Sequence, residues 1–224
     1  MNNTERIAGE TARDFALRVI RDNIVSLDLK PGTLVSENEI AFELGLSRTP
    51  VREAIIELSK ASIIEIYPQK GSYVSLIDSK MVEESRFLRN VLDSAVIEVA
   101  CDLASDKDLN EMEENVLLQE FFLSRGENEK IYPLDNDFHK MIYNIAEKRN
   151  IYEMRSIMMI HFDRVRTLSV ETVKDLKIVS DHRGMYEAIK NHDKEKAVQL
   201  VNKHLGRYQF DENAIREQFS EYFK

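Results

Sequence analysis

The sequence has a single cysteine, Cys101, set in an apolar helical run with Val99, Ala100 and Leu103. One thiol excludes an intrachain disulfide and a thiolate metal cluster, so a reducing compartment, the cytoplasm, is expected. No stretch approaches the ~20 uninterrupted apolar residues that a membrane span needs. Met1 to Glu10 is polar and lacks the apolar centre of a signal peptide, so no membrane partner is expected. Low-complexity tracts and solenoid-length repeats are absent, which removes disordered and array architectures. A surplus of positive charge is missing too. The net charge is -9, and the first 78 residues carry nine Lys and Arg against twelve Asp and Glu. Phosphate neutralisation supplies most non-specific affinity for nucleic acid, so any DNA binding has to come from a local arrangement of residues.

What is present is an ordinary globular composition, 43% hydrophobic and 32% charged over 224 residues, enough for two modest domains. From Thr11 to about Ser26, Ala16, Ile20 and Ile24 recur every fourth residue along one helix face. Lys30-Pro31-Gly32 ends that helix. Ser36 to Glu39 has capping-box spacing and predicts a short helix to about Leu44, stopped by Gly45. A third helix starts at Ser47 or Thr49, with Pro50 in its first turn and Val51, Ala54, Ile55 and Leu58 on its buried side. Ile63 to Tyr67 and Ser72 to Ser75 are β-rich runs around the turn Pro68-Gln69-Lys70-Gly71. Three helices followed by a hairpin predict a winged helix-turn-helix over 1-78. Beyond Asp78 the pattern is helical, with helices at about 79-104, 107-124, 133-147, 150-168, 172-191 and 194-210. Short polar joints imply an antiparallel bundle over 79-211, followed by a polar tail over 212-224. The fold class is therefore mostly α.

In a helix-turn-helix the second helix enters the major groove with its N-terminal residues at base edges. Here that end carries Ser47, Arg48, Thr49 and Arg52. Arg48 and Arg52 project from neighbouring points, and an arginine fork matches guanine O6 and N7. The hydroxyls of Ser47 and Thr49 and the exposed helix-start amides suit a phosphate. Lys70 at the hairpin tip reaches phosphate, while Gly71 allows close backbone approach. On spacing alone, a surface arginine pair partnered by Glu53 and Glu57 competes with this reading, as a solvated turn does for the hairpin tip.

In the helical region, Asp135 and His139 stand about 40° apart on one helix and both can reach one cation. Asp137 points elsewhere. His182 shares a face with Met185, Tyr186 and Ile189; His204 shares one with Ala197, Leu200, Val201 and Tyr208. An inward imidazole taken singly is more often a core histidine than a ligand. Three of them with an aspartate suit a divalent transition metal such as zinc, nickel or manganese, and a six-coordinate ion keeps positions for an anionic effector. His161, between Ile157 and Val165, is expected to line the same pocket, and His192 to lie in a loop.

Leu29 to Leu34, Ser36 to Ala41, Leu46 to Ala54 and the Lys70 to Val74 wing, in that order, resemble the GntR family of regulators. The resemblance implies that Arg48, Thr49, Arg52 and Gly71 contact operator DNA with Ser47 in support; Asn38 stands where some members carry a further DNA-contacting arginine. Arg89 to Asp93, Asp135 to His139, Asp181-His182 before Tyr186 to Ile189, and His204-Leu205 resemble the FadR-type effector domain, often called the FCD domain. That resemblance assigns Asp135, His139, His182 and His204 to a divalent cation and implies an organic-acid effector. Arg89 is placed to pair with its carboxylate, or else to bridge to Asp93 one turn on. The function expected is a homodimeric regulator whose binding to operator DNA responds to a carboxylate effector. The competing expectation is a metal-dependent hydrolase built on the same Asp and His cluster.

Overall fold

The computed structural model describes residues 1-2, 4-172 and 177-224, with the side chains of 170-172 and 208-212 outside the description. Two compact units form, and they do not follow chain order. The first combines Met1–Glu83 with Ile157–Thr167 and Phe219–Lys224; the second combines Glu84–Ser156 with Leu168–Gln218.

In the first unit, helix α1 (Ala12–Val25) is capped by Thr11, whose side chain accepts from the Asp14 amide. Strand β1 (Leu34–Val35) leads into α2 (Glu37–Leu44), capped by Ser36 through the Glu39 amide. Gly45 ends α2 in the left-handed conformation at φ 63°, where a residue without a Cβ is least strained. Helix α3 (Arg48–Lys60) follows after the three-residue joint Gly45-Leu46-Ser47. Val51, Ala54, Ile55 and Leu58 of α3 meet Ala16, Ile20 and Ile24 of α1 in one core, each at most 1% exposed. Each larger aliphatic among them contributes about 1.5–3 kcal/mol through burial.

Strands β2 (Ile64–Tyr67) and β3 (Gly71–Val74) form the wing, and β1 completes an antiparallel sheet of order β1-β3-β2, with Leu34 opposite Tyr73 and Ile64 opposite Val74. The third strand was not anticipated, because two residues are too few to show a period of two. Gly71 has φ 108°, and a Cβ there would lie 2.9 Å from Leu34 Cδ1. Its glycine is thus required by the fold of the wing itself.

The remainder of this unit comes from far along the chain. In α7 (Arg149–Thr172), Ile160 joins the winged-helix core and Ile157 packs against it. Three α7 side chains then bind three carbonyls, each at 2.8 Å: His161 Nε2 to Ala61, Arg164 Nη1 to Ser75 and Thr167 Oγ1 to Val25. Val25 is the last residue of α1, and Ala61 and Ser75 directly follow α3 and β3. The middle of α7 therefore satisfies carbonyls at the ends of three winged-helix elements.

The chain terminus does likewise. Ile77 and Phe223 form a parallel bridge, with the Ile77 amide donating to Tyr222 at 2.7 Å and the Lys224 amide donating to Ile77 at 3.0 Å. This corrects the polar tail expected over 212-224. Tyr208–Gln218 form helix α10, and the end packs because burying Phe223 and pairing Ile77 outweigh the polarity of its neighbours.

The second unit holds most of α4 (Ser79–Leu103), α5 (Asp106–Arg125), α6 (Ile131–Ile145), both ends of α7, α8 (Ile178–Lys190), α9 (Lys194–Gly206) and α10. Ser105 and Asp108 cap α5 reciprocally. Helix α5 packs on α6 and α8, and α8 packs on α9. The sequence places one helix start near 172, where residues 173-176 lie outside the described residues. Among the described residues, no helix is long and apolar enough to cross a membrane.

Candidate functional site

Ser47 occupies the N-cap of α3, yet its side chain makes no capping bond. Its side chain stands with those of Arg48, Thr49 and Arg52 on an exposed helix start, and Lys70 and Gly71 are exposed at the wing tip. Arg48 and Arg52 do not pair with Glu53 or Glu57. Both approach Glu37 in the first turn of α2, at 3.4 and 3.9 Å, with about two thirds of each arginine side chain exposed. Glu57 instead pairs with Arg13 and Lys60. Exposed pairs of this kind are worth little, so a phosphate or a base edge can replace the carboxylate.

In the second unit, Asp135 and His139 lie on the buried stripe of α6, with Phe138 and Ile142, while Asp137 is exposed. His182 lies on the buried face of α8 and His204 on that of α9. The side chain of Tyr208, expected on the His204 face, lies outside the described residues. One ligand atom from each of Asp135, His139, His182 and His204 falls within 4.8 Å of the other three, and all four residues are buried. His139 Nε2 is 3.3 Å from His204 Nε2, and Asp135 Oδ1 is 3.4 Å from His182 Nε2 and 4.0 Å from His204 Nε2. Phe138 stacks on His182 with ring centroids 4.5 Å apart, which limits rotation of that imidazole.

The donor set suits a cation. Atoms bound at about 2.1 Å to one ion stand at most about 4.2 Å apart, so these separations match or need only a small contraction. Three neutral imidazoles and one carboxylate are a borderline set for zinc, nickel or manganese. Such a set fills a tetrahedral ion and leaves two positions on an octahedral one.

The surroundings orient these side chains. His139 Nδ1 lies 3.4 Å from Asp93 Oδ2, and Asp93 also takes Arg89 Nε at 3.1 Å and the Tyr143 hydroxyl at 2.7 Å. Burial, and next the Asp93 charge, hold that phenol well above its ordinary pKa, so it remains a donor. Arg89 is thus bound to Asp93 inside the protein, at 2% exposure, rather than on a helix surface. His182 Nδ1 contacts Gln119 Oε1 at 2.7 Å. Sequence reasoning missed Tyr143 on α6 and the α5 pair Asn115 and Gln119; the signal for that pair was polar residues at i, i+4 on the otherwise apolar stripe of α5 that includes Met112 and Val116.

His161 does not line this centre. It belongs to the first unit, where it meets the Ala61 carbonyl and Arg164, and burial pushes its pKa down to about 4. Its periodicity gave inward orientation but not which core it entered. His192 lies at a helix end with φ 56°, its Nδ1 2.5 Å from the Cys101 carbonyl. Burial raises the Cys101 thiol to about 11, which keeps it protonated and inert.

Residues 13-74 match the bacterial regulatory proteins of the gntR family, and residues 84-207 match the FCD domain. The HTH-type transcriptional repressor RspR of Escherichia coli K12 is 28% identical over 207 residues, covering 92% of this chain and 91% of that protein. A Streptomyces ambofaciens HTH-type transcriptional regulator is 29% identical over 212 residues, covering 94% and 89%. The structure of E. coli McbR/YncC superposes with a TM-score of 0.79 at 19% identity, over 93% of this chain and 99% of that one, a likeness of fold. None of these matches supports the hydrolase reading. The chain belongs to the GntR family of transcriptional regulators, as a member that joins a winged helix-turn-helix to an FCD domain.

Proposed function

We propose that this regulator reads operator DNA through Arg48 and Arg52, with Ser47, Thr49, Lys70 and Gly71 at the phosphates and the groove edge. We propose further that its FCD domain holds a divalent metal through Asp135, His139, His182 and His204. The observation that carries the reading is the convergence of four ligand atoms, from three helices, in a buried centre. When bound, the ion supplies positive charge and open positions for an anion; zinc, nickel and manganese all suit the donors.

The residues of the chain do the rest. Asp93 orients His139, Phe138 limits His182, and the Arg89 guanidinium adds positive charge beside Asp93, favouring a carboxylate effector. Occupancy of the effector site and binding of operator DNA are then linked: a ligand that prefers one domain arrangement shifts DNA affinity by its differential affinity for the two states. A homodimer would present two recognition helices to a two-fold operator, and gathers basic contacts on one surface of an acidic chain.

Elemental analysis of the purified full chain tests the metal, with about one transition ion per chain expected in wild type and none in His139→Ala or His182→Ala. Footprinting on the upstream region of its own gene tests the operator reading; absence of any preferred site there counts against it. Small carboxylates added to metal-loaded protein should change operator affinity, and should not do so in the His182→Ala variant.

A further inference from the structure

Helix α5 contributes no ligand atom to the Asp and His centre, yet two of its side chains are buried beside it. Asn115 is 5% exposed and Gln119 is 0% exposed. They form a chain of hydrogen bonds. Asn115 Nδ2 donates to the Leu134 carbonyl at 3.1 Å, Gln119 Nε2 donates to Asn115 Oδ1 at 2.7 Å, and Gln119 Oε1 lies 2.7 Å from His182 Nδ1.

The direction of this chain follows from its first link. A backbone carbonyl only accepts. Asn115 must therefore turn its NH2 group to Leu134 and its oxygen to Gln119. Gln119 must answer with its own NH2 group, which leaves its oxygen facing His182. An oxygen there requires a proton on His182 Nδ1. In the neutral imidazole, Nε2 then carries the lone pair, and Nε2 is the atom that faces Asp135.

We propose that Asn115 and Gln119 are positioning residues for metal binding: they transmit the polarity of the Leu134 carbonyl to His182 and hold it in the ligating tautomer before any ion arrives. Leu134 precedes Asp135, so the same relay ties a ligand of α6 to one of α8 through α5. A histidine ligand needs a partner for its second nitrogen to fix both ring orientation and tautomer. This inference rests on the metal reading for its purpose, but the tautomer exists or fails independently of the ion.

Two measurements on the full-length protein test it. Long-range proton–nitrogen correlation spectra of metal-free, histidine-labelled protein read the tautomer directly, with His182 assigned by comparison with His182→Asn. The wild-type spectrum should show His182 protonated at Nδ1; protonation at Nε2 overturns the proposal. Chelator competition with zinc as the probe then reads the consequence. Gln119→Met should bind zinc about 10- to 100-fold more weakly and lose the fixed tautomer, while Gln119→Glu, whose carboxylate accepts the same Nδ1 proton, should recover most of the affinity. Asn115→Ala should fall between wild type and Gln119→Met. Zinc affinity unchanged in Gln119→Met sinks the positioning role. A wild type with the Nδ1 tautomer but no zinc binding would retire the metal reading and leave the relay standing.

Discussion

Two buried histidine environments on this chain differ in what becomes of the second ring nitrogen. His161 and His182 are equally hidden, at 1% and 0% exposure. At His161 both nitrogens are spent on the protein: Nε2 meets the Ala61 carbonyl at 2.8 Å, so it carries the proton, and Nδ1 faces Arg164 Nη2 at 3.3 Å. At His182, Nδ1 contacts Gln119 Oε1 at 2.7 Å, the contact from which the Nδ1 tautomer is proposed, and Nε2 is turned toward Asp135 within the cluster. Burial and helix periodicity are common to the two. The acceptor behind the ring separates a structural strut from a candidate metal ligand.

The largest expected effect breaks the comparison at its root. His182→Ala should take bound metal from about one ion per chain to none, whereas His161→Ala should leave metal content unchanged. Loss of metal in His161→Ala would mean that the two environments are not separate in function.

Acid sharpens the contrast next. The His161 pKa is lowered to about 4 from 6.5, chiefly by burial. The folded state therefore binds fewer protons than the unfolded state between those values. The stability from keeping His161 neutral is fully present above pH 6.5 and is lost as pH falls toward 4, by roughly 3 kcal/mol in all. Denaturant titrations across that window, in metal-free wild type and His161→Gln, should show a steeper acid loss in the wild type. Parallel curves would assign the acid sensitivity elsewhere.

These distinctions explain what the sequence made legible. The winged helix was readable because its signals are local: the Ser36 cap, the Gly45 stop, Pro50 in a first turn, and apolar residues every third or fourth position of α3. The four candidate ligands were readable because each lies on the buried stripe of its own helix. What was not readable depends on partners far apart in sequence. Nothing near His161 announces that Ala61, one hundred residues earlier, supplies its acceptor. The pairing of Ile77 with Phe223 is equally non-local. Strand β1 exists because β3 offers it an edge, and the two amides of α5 acquire meaning only through Leu134 and His182.

The arginines at the exposed start of α3 extend the comparison from buried to exposed partners. Replacing Arg48 or Arg52 by Ala should weaken operator binding by about 1–3 kcal/mol each and relax preference at one base position, whereas Lys70→Ala should weaken all sequences alike and lower the salt slope by about one. Fluorescence anisotropy with operator and scrambled duplexes over a range of salt distinguishes the two kinds of contact. Equal losses on both duplexes for Arg48→Ala would reassign that residue to the phosphates.

The smallest effect concerns Glu37, whose carboxylate approaches both arginines in the protein without DNA. A buried acceptor such as Gln119 fixes its partner because no water competes for the bond. Glu37 has no such hold, since both guanidinium groups are largely exposed and water screens the pairs. Its influence is a competition: each arginine must leave the carboxylate to reach DNA, and the carboxylate charge opposes approaching phosphate. Glu37→Gln removes both terms, so operator affinity should rise a few-fold, on the order of the 0–1 kcal/mol that exposed pairs carry. The same change removes an acidic side chain from the first turn of α2, where it stabilises the helix dipole by about 0.3–1 kcal/mol. Tighter DNA binding with slightly lower thermal stability is therefore the expected signature. Weaker binding in Glu37→Gln would show that the carboxylate holds Arg48 and Arg52 in their DNA-reading positions, making an exposed partner as directive as the buried one.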